Sequence, residues 1–380
     1  MSGVARTVLR VDVDAIRANA RLLARAAGRA RLMAVVKADG YGHGAVTAAR
    51  AALDGGAGAL AVFTLAEARA LREAGVPGPL LVLGPLAGRE WALSQDLGLE
   101  CCVWTPEAVR AAAAAARPDA PAPIHLKLDT GMGRLGARPE GVDALVETAA
   151  AEERVRVVGV MTHFASADER VGENAGFLRE QLLRFRSLSG PLGERFPGAI
   201  AHAANSAAVL REPDSALDMV RCGIALYGCD PFGEDPSAHG LRPALSLSAP
   251  VAALKTLRSR ESVGYGRRWR AARGALVATV PVGYADGYLR ILGGRAEALI
   301  GGRRVPVIGA VSMNQLALDL GPEGEARVGD EVVLLGAQGD ERITAEELAR
   351  HAETINYEIT CALGARGRVD GGRTTRGWGR

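Results

Sequence analysis

Lysine is scarce in this chain: among 46 basic residues, only Lys37, Lys127 and Lys255 are lysine. An amine can lose its proton and form a Schiff base, whereas an arginine guanidinium, with a pKa above about 12, does neither. Because arginine is the basic residue almost everywhere else, the pattern indicates that Lys37 and Lys127 have roles that require an amine. Lys255 falls on a predicted strand among polar neighbours, where a bias in composition is a sufficient explanation.

Long hydrophobic runs and excess charge are also missing. No segment approaches the roughly 18 uninterrupted apolar residues of a membrane span, so a membrane partner is not expected. The net charge is only +3 and the basic residues are scattered, so no nucleic-acid partner is expected either. The first residues, MSGVARTVLRVDVDAIRANARLL, contain no apolar signal-peptide core. We therefore expect a cytoplasmic protein.

Cysteine and histidine give no sign of a disulfide framework or of a metal site. The five cysteines are an odd number, and the close pair Cys101-Cys102 has neither CxxC nor zinc spacing. The six histidines form no HxxxH pair and have no accompanying acidic cluster. The sequence therefore predicts buried thiols and no metal.

A chain of 380 residues is longer than one hydrophobic core usually organises, and its pattern of apolar and polar residues changes near residue 241. Before that point, short apolar runs alternate with Ala-rich amphipathic segments, which is typical of βαβ units. Eight such units predict an α/β fold, a (β/α)8 barrel of the TIM type over residues 11–240. A mainly β domain is predicted over residues 241–380, and the strand-like run at 7–13 makes residues 1–10 a candidate strand of either domain. The predicted barrel strands are 32–36, 59–63, 80–83, 100–104, 124–128, 156–161, 199–202 and 217–220.

Polar residues follow most of these strands, at the end of a barrel where active sites lie. One segment there, GMGRLG at 131–136, matches the GxGxxG dinucleotide fingerprint. That fingerprint belongs to the first turn of an open sheet, so we interpret these glycines as a turn that carries Arg134. A Ser–His–Asp hydrolase built on Ser206 and His163 is disfavoured, because no GxSxG elbow surrounds Ser206.

Nine further motifs follow one another along the chain: AVVKADGYGHG, KLDTGMGRLG, THFASAD, HAANS, RCGIALYG, VGYG, GYADGY, SMNQ and TINYE. In this order, from about residue 7 to residue 368, the sequence resembles the alanine racemase family of fold-type III pyridoxal-phosphate enzymes. The resemblance implies pyridoxal 5'-phosphate as cofactor and interconversion of L-alanine and D-alanine, which supplies D-alanine for cell-wall peptidoglycan.

By this resemblance, two residues are catalytic bases on opposite faces of Cα. Lys37 holds the cofactor as a Schiff base and serves one face. Tyr265, contributed by the partner subunit, serves the other, which implies a homodimer with shared active sites. Removal of a proton on one face and delivery on the other requires both.

The remaining site residues are also assigned by the resemblance. Arg221 faces the pyridine nitrogen and can only donate to it, so that nitrogen stays unprotonated and side reactions are restrained. Lys127 is a candidate for carbamylation, and Arg134 contacts both cofactor and substrate. Met313 receives the substrate carboxylate through its backbone amide. Further cofactor contacts are Tyr41, His163, Asn205, Ser206, Gly223, Ile224 and Tyr357, and the entrance corridor contains Asp168, Tyr284 and Arg290.

The sequence departs from the family at two positions. Asn314 stands where relatives usually have aspartate, and Ala310 stands where they have arginine, which leaves the substrate range open. A broader-specificity or serine-tolerant racemase is therefore one alternative. A fold-type III decarboxylase is disfavoured by Arg221, since such enzymes pair the pyridine nitrogen with an acid. A non-catalytic cofactor-binding protein of this barrel type would normally lack the β domain and Tyr265.

Overall fold

The computed structural model describes residues 7–117 and 119–365. The chain begins with strand β1 (Val8–Val11) and the helix Val13–Ala26. Contacts divide the described residues into two compact units, one with residues 16–40, 48–117 and 119–226, the other with residues 7–15, 41–47 and 227–365. The described residues contain no helix long and apolar enough to cross a membrane.

The first unit is a closed barrel of eight parallel strands. Its strands are β2 (Arg31–Val35), β3 (Ala59–Val62), β4 (Leu80–Val82), β5 (Glu100–Val103), β6 (Ala122–Lys127), β7 (Val155–Met161), β8 (Ile200–His202) and β9 (Met219–Cys222). All eight lie within a few residues of the predicted ranges, so the barrel is confirmed. The strands are apolar and nearly continuously buried, as expected where one face meets the barrel interior and the other meets helices.

Helices connect the barrel strands, and several carry clear start signals. Thr64 caps the helix Leu65–Glu73 by accepting from the N–H of Glu67, which completes a capping box. Thr105 caps the helix Pro106–Ala115, whose proline occupies the first turn. The other helices after β2 and before the second sheet are Ala45–Asp54, Glu90–Asp96, Pro139–Ala151, Phe177–Arg195 and Ser206–Arg211.

The second unit is mainly β, also as predicted. Its strands are β10 (Leu245–Pro250), β11 (Ala253–Leu257), β12 (Ser262–Val263), β13 (Trp269–Arg270), β14 (Ala275–Val280), β15 (Glu297–Ile300), β16 (Arg303–Ile308), β17 (Leu316–Asp319), β18 (Glu331–Gln338) and β19 (Glu341–Ile343). Antiparallel pairing gives the order β1-β10-β18-β15-β16-β17-β14-β11, with β19 on β18 and a separate β12–β13 pair. The early strand β1 pairs with β10 and so joins this sheet. The helices Ala345–Ala352 and Asn356–Gly364 close the described part of the unit.

Candidate active site

Lys37 follows β2 and begins a turn of unusual conformation. The next four residues, Ala38 to Tyr41, all have positive φ, between 51° and 64°. Each non-glycine residue in this left-handed region costs about 1–2 kcal/mol, a strain typical of functional sites. The carboxylate of Glu67 accepts from the N–H of Ala38 at 2.6 Å and of Phe63 at 2.8 Å, which anchors the turn within the barrel unit.

Four cations lie at the carboxyl ends of the barrel strands, around His163. The pKa of His163 is held well below its usual value, first by burial and then by Arg221, Arg134, Lys127 and Lys37. The imidazole is therefore neutral, and this end of the barrel is prepared for an anion.

Lys127 ends β6 and is buried. Its pKa is lowered, first by burial and then, against an opposing effect of Cys102, by Arg221 and other nearby cations. Asp129, the nearest acidic residue in sequence, accepts instead from the N–H groups of Gly131 and Gly133. The amine therefore has an increased fraction in its neutral form, which is the nucleophilic form.

Arg221, on β9, is fixed by acceptors on neighbouring strands. Nη1 donates to the carbonyl and to Nδ1 of His202, and Nη2 to the carbonyls of Thr162 and Ala203 and to Nδ1 of His163. A guanidinium has five N–H groups. The one on Nε has no protein partner among residues 7–117 and 119–365, so it is available to an acceptor that the protein does not supply. Burial lowers the pKa of Arg221 to about 10, so it remains a cation at neutral pH.

Ser206 brings a hydroxyl to two backbone amides. Its Oγ accepts from the N–H of Gly223 at 3.0 Å and of Ala225 at 3.4 Å. Asn205 is the N-cap of the helix Ser206–Arg211, where its Oδ1 accepts from the N–H of Ala208. The structure thus gives Asn205 a local role in shaping this turn, and it groups Ser206, Gly223 and Ile224 as neighbours.

Of the other residues predicted for the site, Asp168 and Arg134 lie in the barrel unit, and the rest lie in the second unit: Tyr41, Tyr265, Tyr284, Arg290, Met313 and Tyr357. The ring of Tyr41 is 6.0 Å from the ring of Tyr357 and 5.1 Å from that of Tyr227. Tyr265 is 75% exposed, on a turn whose flanking Gly264 and Gly266 both have positive φ. It lines a cavity of about 420 Å³ together with Ala310 and others. The exposed residues of the predicted set include Met313, Tyr284, Arg290, Asp168 and Arg134.

Sequence reasoning missed three side chains that support Arg221. They are His202, His125 and Glu100, none of which the sequence analysis assigns to the site. A signal was present, because His125 interrupts the otherwise apolar strand APIHLK and few histidines occur in the chain. A buried polar residue in a barrel strand needs a partner, which is a reason to look for one.

Comparison with known proteins places the chain in a family. The profile described as alanine racemase, N-terminal domain, matches residues 11–231, and that of the C-terminal domain matches residues 244–369. Alanine racemase of Symbiobacterium thermophilum is 43% identical over 98% of this chain and 99% of its own. Crystal structures of alanine racemase from Streptomyces lavendulae and Streptomyces coelicolor A3(2) share 40% and 38% identity. Each covers 95% of this chain and 96% of its own, with TM-scores of 0.91 and 0.90. The chain therefore belongs to the alanine racemase family and is an isomerase that acts on alanine.

Proposed function

We propose that the chain racemises alanine with pyridoxal 5'-phosphate and two bases, Lys37 on one face of Cα and Tyr265 of the partner subunit on the other. The observation that carries the proposal is the group of four basic side chains, Lys37, Lys127, Arg134 and Arg221, whose charges all act on the buried His163. A phosphate, a phenolate and a substrate carboxylate are the anions that such a site would accept. In the cell, the product D-alanine would serve peptidoglycan synthesis.

The donor set of the barrel unit fits this cofactor. The Nε–H of Arg221 lacks a protein acceptor among the described residues, and a pyridine nitrogen is an acceptor that suits it. Because Gly223 donates its N–H to Ser206 Oγ, the hydroxyl proton of Ser206 and the backbone amide of Ile224 would be the neutral donors for the phosphate. Tyr41 and Tyr357 would complete the phosphate contacts. Lys37 would hold the aldehyde carbon through its amine.

The chemistry that the cofactor supplies when bound is withdrawal of electron density from Cα, so that its hydrogen can leave as a proton. The chain's own residues then determine the outcome. Lys37 Nζ takes or returns the proton on one face, and the hydroxyl of Tyr265 does so on the other. Arg221 would remain a donor that keeps its own protons, so the pyridine nitrogen facing it would stay unprotonated, which would restrain loss of amine or carboxylate.

The position of Tyr265 suits the proposed role of a base in the active site of another subunit. The side chain of Tyr265 is 75% exposed, so its ring is accessible to a second subunit. The positive φ of Gly264 and Gly266 allows the turn to present this ring outward. A homodimer with shared sites gives the ring that partner.

The test is a chiral assay of the purified chain, supplied with pyridoxal phosphate, against L-alanine, L-serine and L-lysine separately. We expect D-alanine to be the dominant product. Comparable D-serine would support a broader racemase, in which Ala310 and Asn314 widen the site. Release of an amine or a keto acid instead would contradict the roles given to Arg221 and Tyr265.

We also expect Lys127 to be carbamylated. Its lowered pKa favours the neutral amine that attacks carbon dioxide, and the resulting anion would neutralise and orient Arg134. Intact-protein mass spectrometry under mild conditions with bicarbonate should show a gain of one carbon dioxide, absent in Lys127→Gln. A well-ordered, unmodified amine in a crystal structure grown with bicarbonate would contradict this expectation.

A further inference from the structure

A continuous chain of side-chain hydrogen bonds runs around the barrel interior from Arg221 to Glu100. Nη1 of Arg221 is 3.0 Å from Nδ1 of His202, and Nε2 of His202 is 2.8 Å from Nδ1 of His125. Nε2 of His125 is 2.9 Å from Oε2 of Glu100. The two imidazoles and the guanidinium are buried, and Glu100, at the start of β5, is 25% exposed.

The direction of every bond in this chain is set at its two ends, Arg221 and Glu100. A guanidinium only donates, so Nδ1 of His202 accepts and the proton of that ring is on Nε2. This N–H donates to Nδ1 of His125, whose own proton is then on Nε2 and is donated to the carboxylate of Glu100. Both rings are neutral in this arrangement, in agreement with the pKa of His202, which burial and Arg221 hold well below its usual value.

A glycine provides the space for the contact between the two rings. His125 on β6 and His202 on β8 are separated by β7, where Gly159 is the register partner of His125. A Cβ atom on Gly159 would lie 2.2 Å from Nδ1 of His125. Because Gly159 has no side chain, the imidazole of His125 reaches past β7 to His202.

Glu100, at the end of this series of hydrogen bonds, carries a negative charge. Burial alone would raise the pKa of Glu100, yet the hydrogen bond with His125 and the charges of Arg31 and Arg156 hold it below its usual value. Glu100 is therefore ionised at neutral pH. The buried cation Arg221 is thus connected to a carboxylate through two neutral rings.

We propose that Glu100 and His125 are positioning residues that act on Arg221 through His202. The carboxylate fixes the tautomer of both rings, so that His202 always presents an acceptor to Nη1 and the guanidinium keeps one orientation. This series of hydrogen bonds also draws positive charge away from Nε of Arg221, which makes its N–H a weaker hydrogen-bond donor. The inference rests on the proposed function, in which this N–H faces the pyridine nitrogen.

The first test reads the tautomers directly, with the full-length protein labelled with 15N-histidine, with and without pyridoxal phosphate. Long-range 1H–15N spectra resolve the few imidazoles of this chain. We expect the wild type to show His125, His202 and His163 protonated on Nε2, the last because its Nδ1 accepts from Nη2 of Arg221. In Glu100→Ala this pattern should be lost first at His125, whereas His163 should be unchanged. Glu100→Gln should retain the pattern, because the amide oxygen still accepts. Glu140→Ala, which removes an exposed carboxylate on the helix Pro139–Ala151, is the matched control and should change nothing.

The second test is kinetic. We expect Glu100→Ala to lower kcat about 10-fold, with KM for alanine changed less than about twofold, as is usual for outer partners of a functional group. Pyruvate released per racemisation event should rise several-fold, and Glu100→Gln should restore most of kcat and the low pyruvate yield. A purely structural role of Glu100 would lower the melting temperature without changing the pyruvate yield.

The outcomes separate the inference from the proposed function. Unchanged tautomers in Glu100→Ala would overturn the inference, and so would changed tautomers with unchanged kcat and pyruvate yield. Either result would remain consistent with the proposed function, a racemase that depends on Lys37 and Tyr265. If the wild type neither binds pyridoxal phosphate nor racemises alanine, the proposed function fails, and the same spectra of the cofactor-free protein still show whether Glu100 sets the tautomers.

Discussion

Lys37→Ala is expected to lower kcat for alanine racemisation by about 10⁴-fold in both directions. The variant loses the amine that would hold pyridoxal phosphate and, with it, the base on one face of Cα. Two measurements check this result: the chiral assay from each enantiomer, and the absorbance of cofactor that remains with the protein after gel filtration. We expect the absorbance of covalently held cofactor to disappear.

Lys255→Ala is the matched control for that experiment. Lys255 lies exposed on β11 in the second unit, and no chemistry is assigned to it. Its replacement removes the same side chain and the same charge, so kcat and bound cofactor should remain at the wild-type level. Retention of cofactor and turnover by Lys37→Ala would show that another residue performs both roles.

Tyr265→Phe is expected to lower kcat by about 10²- to 10⁴-fold, the range for loss of one general base. Phenylalanine keeps the exposed ring and removes only the hydroxyl, so the dimer should persist in size-exclusion chromatography. Because Lys37 still serves one face, exchange of the Cα hydrogen in D2O should continue for one enantiomer and nearly stop for the other. Equal exchange from both enantiomers would show that Tyr265 is not a base.

Much of the fold could be predicted from hydrophobic patterning. The barrel strands are short and apolar and recur with intervening amphipathic helices, so the eight units could be counted before the structure was known. The position of β1 could not be derived, because a strand of VLRV suits either unit. Only pairing with β10, a contact between residues more than 230 positions apart, assigns it.

Single residues of the site were predictable where the residue type itself is informative. Lys37 and Lys127 stand out because the chain uses arginine almost everywhere else. The left-handed turn after Lys37 was not predictable, since Asp and Gly adopt positive φ as single residues, whereas a run that begins with Ala38 has no such local preference. The series of hydrogen bonds from Arg221 to Glu100 could not be predicted for a similar reason. Its four residues lie on four different strands, which are brought close together only when the barrel closes.

The shared active site is the central claim, and a mixture of two inactive variants tests it most directly. Subunits carrying Lys37→Ala and subunits carrying Tyr265→Phe are unfolded together, refolded in equal amounts with pyridoxal phosphate, and assayed for D-alanine. A mixed dimer would contain one site with both changes and one with neither, so about a quarter of wild-type activity should return. If the mixture is no more active than the separate variants although mixed dimers have formed, Lys37 and Tyr265 act within one subunit and the shared site is wrong.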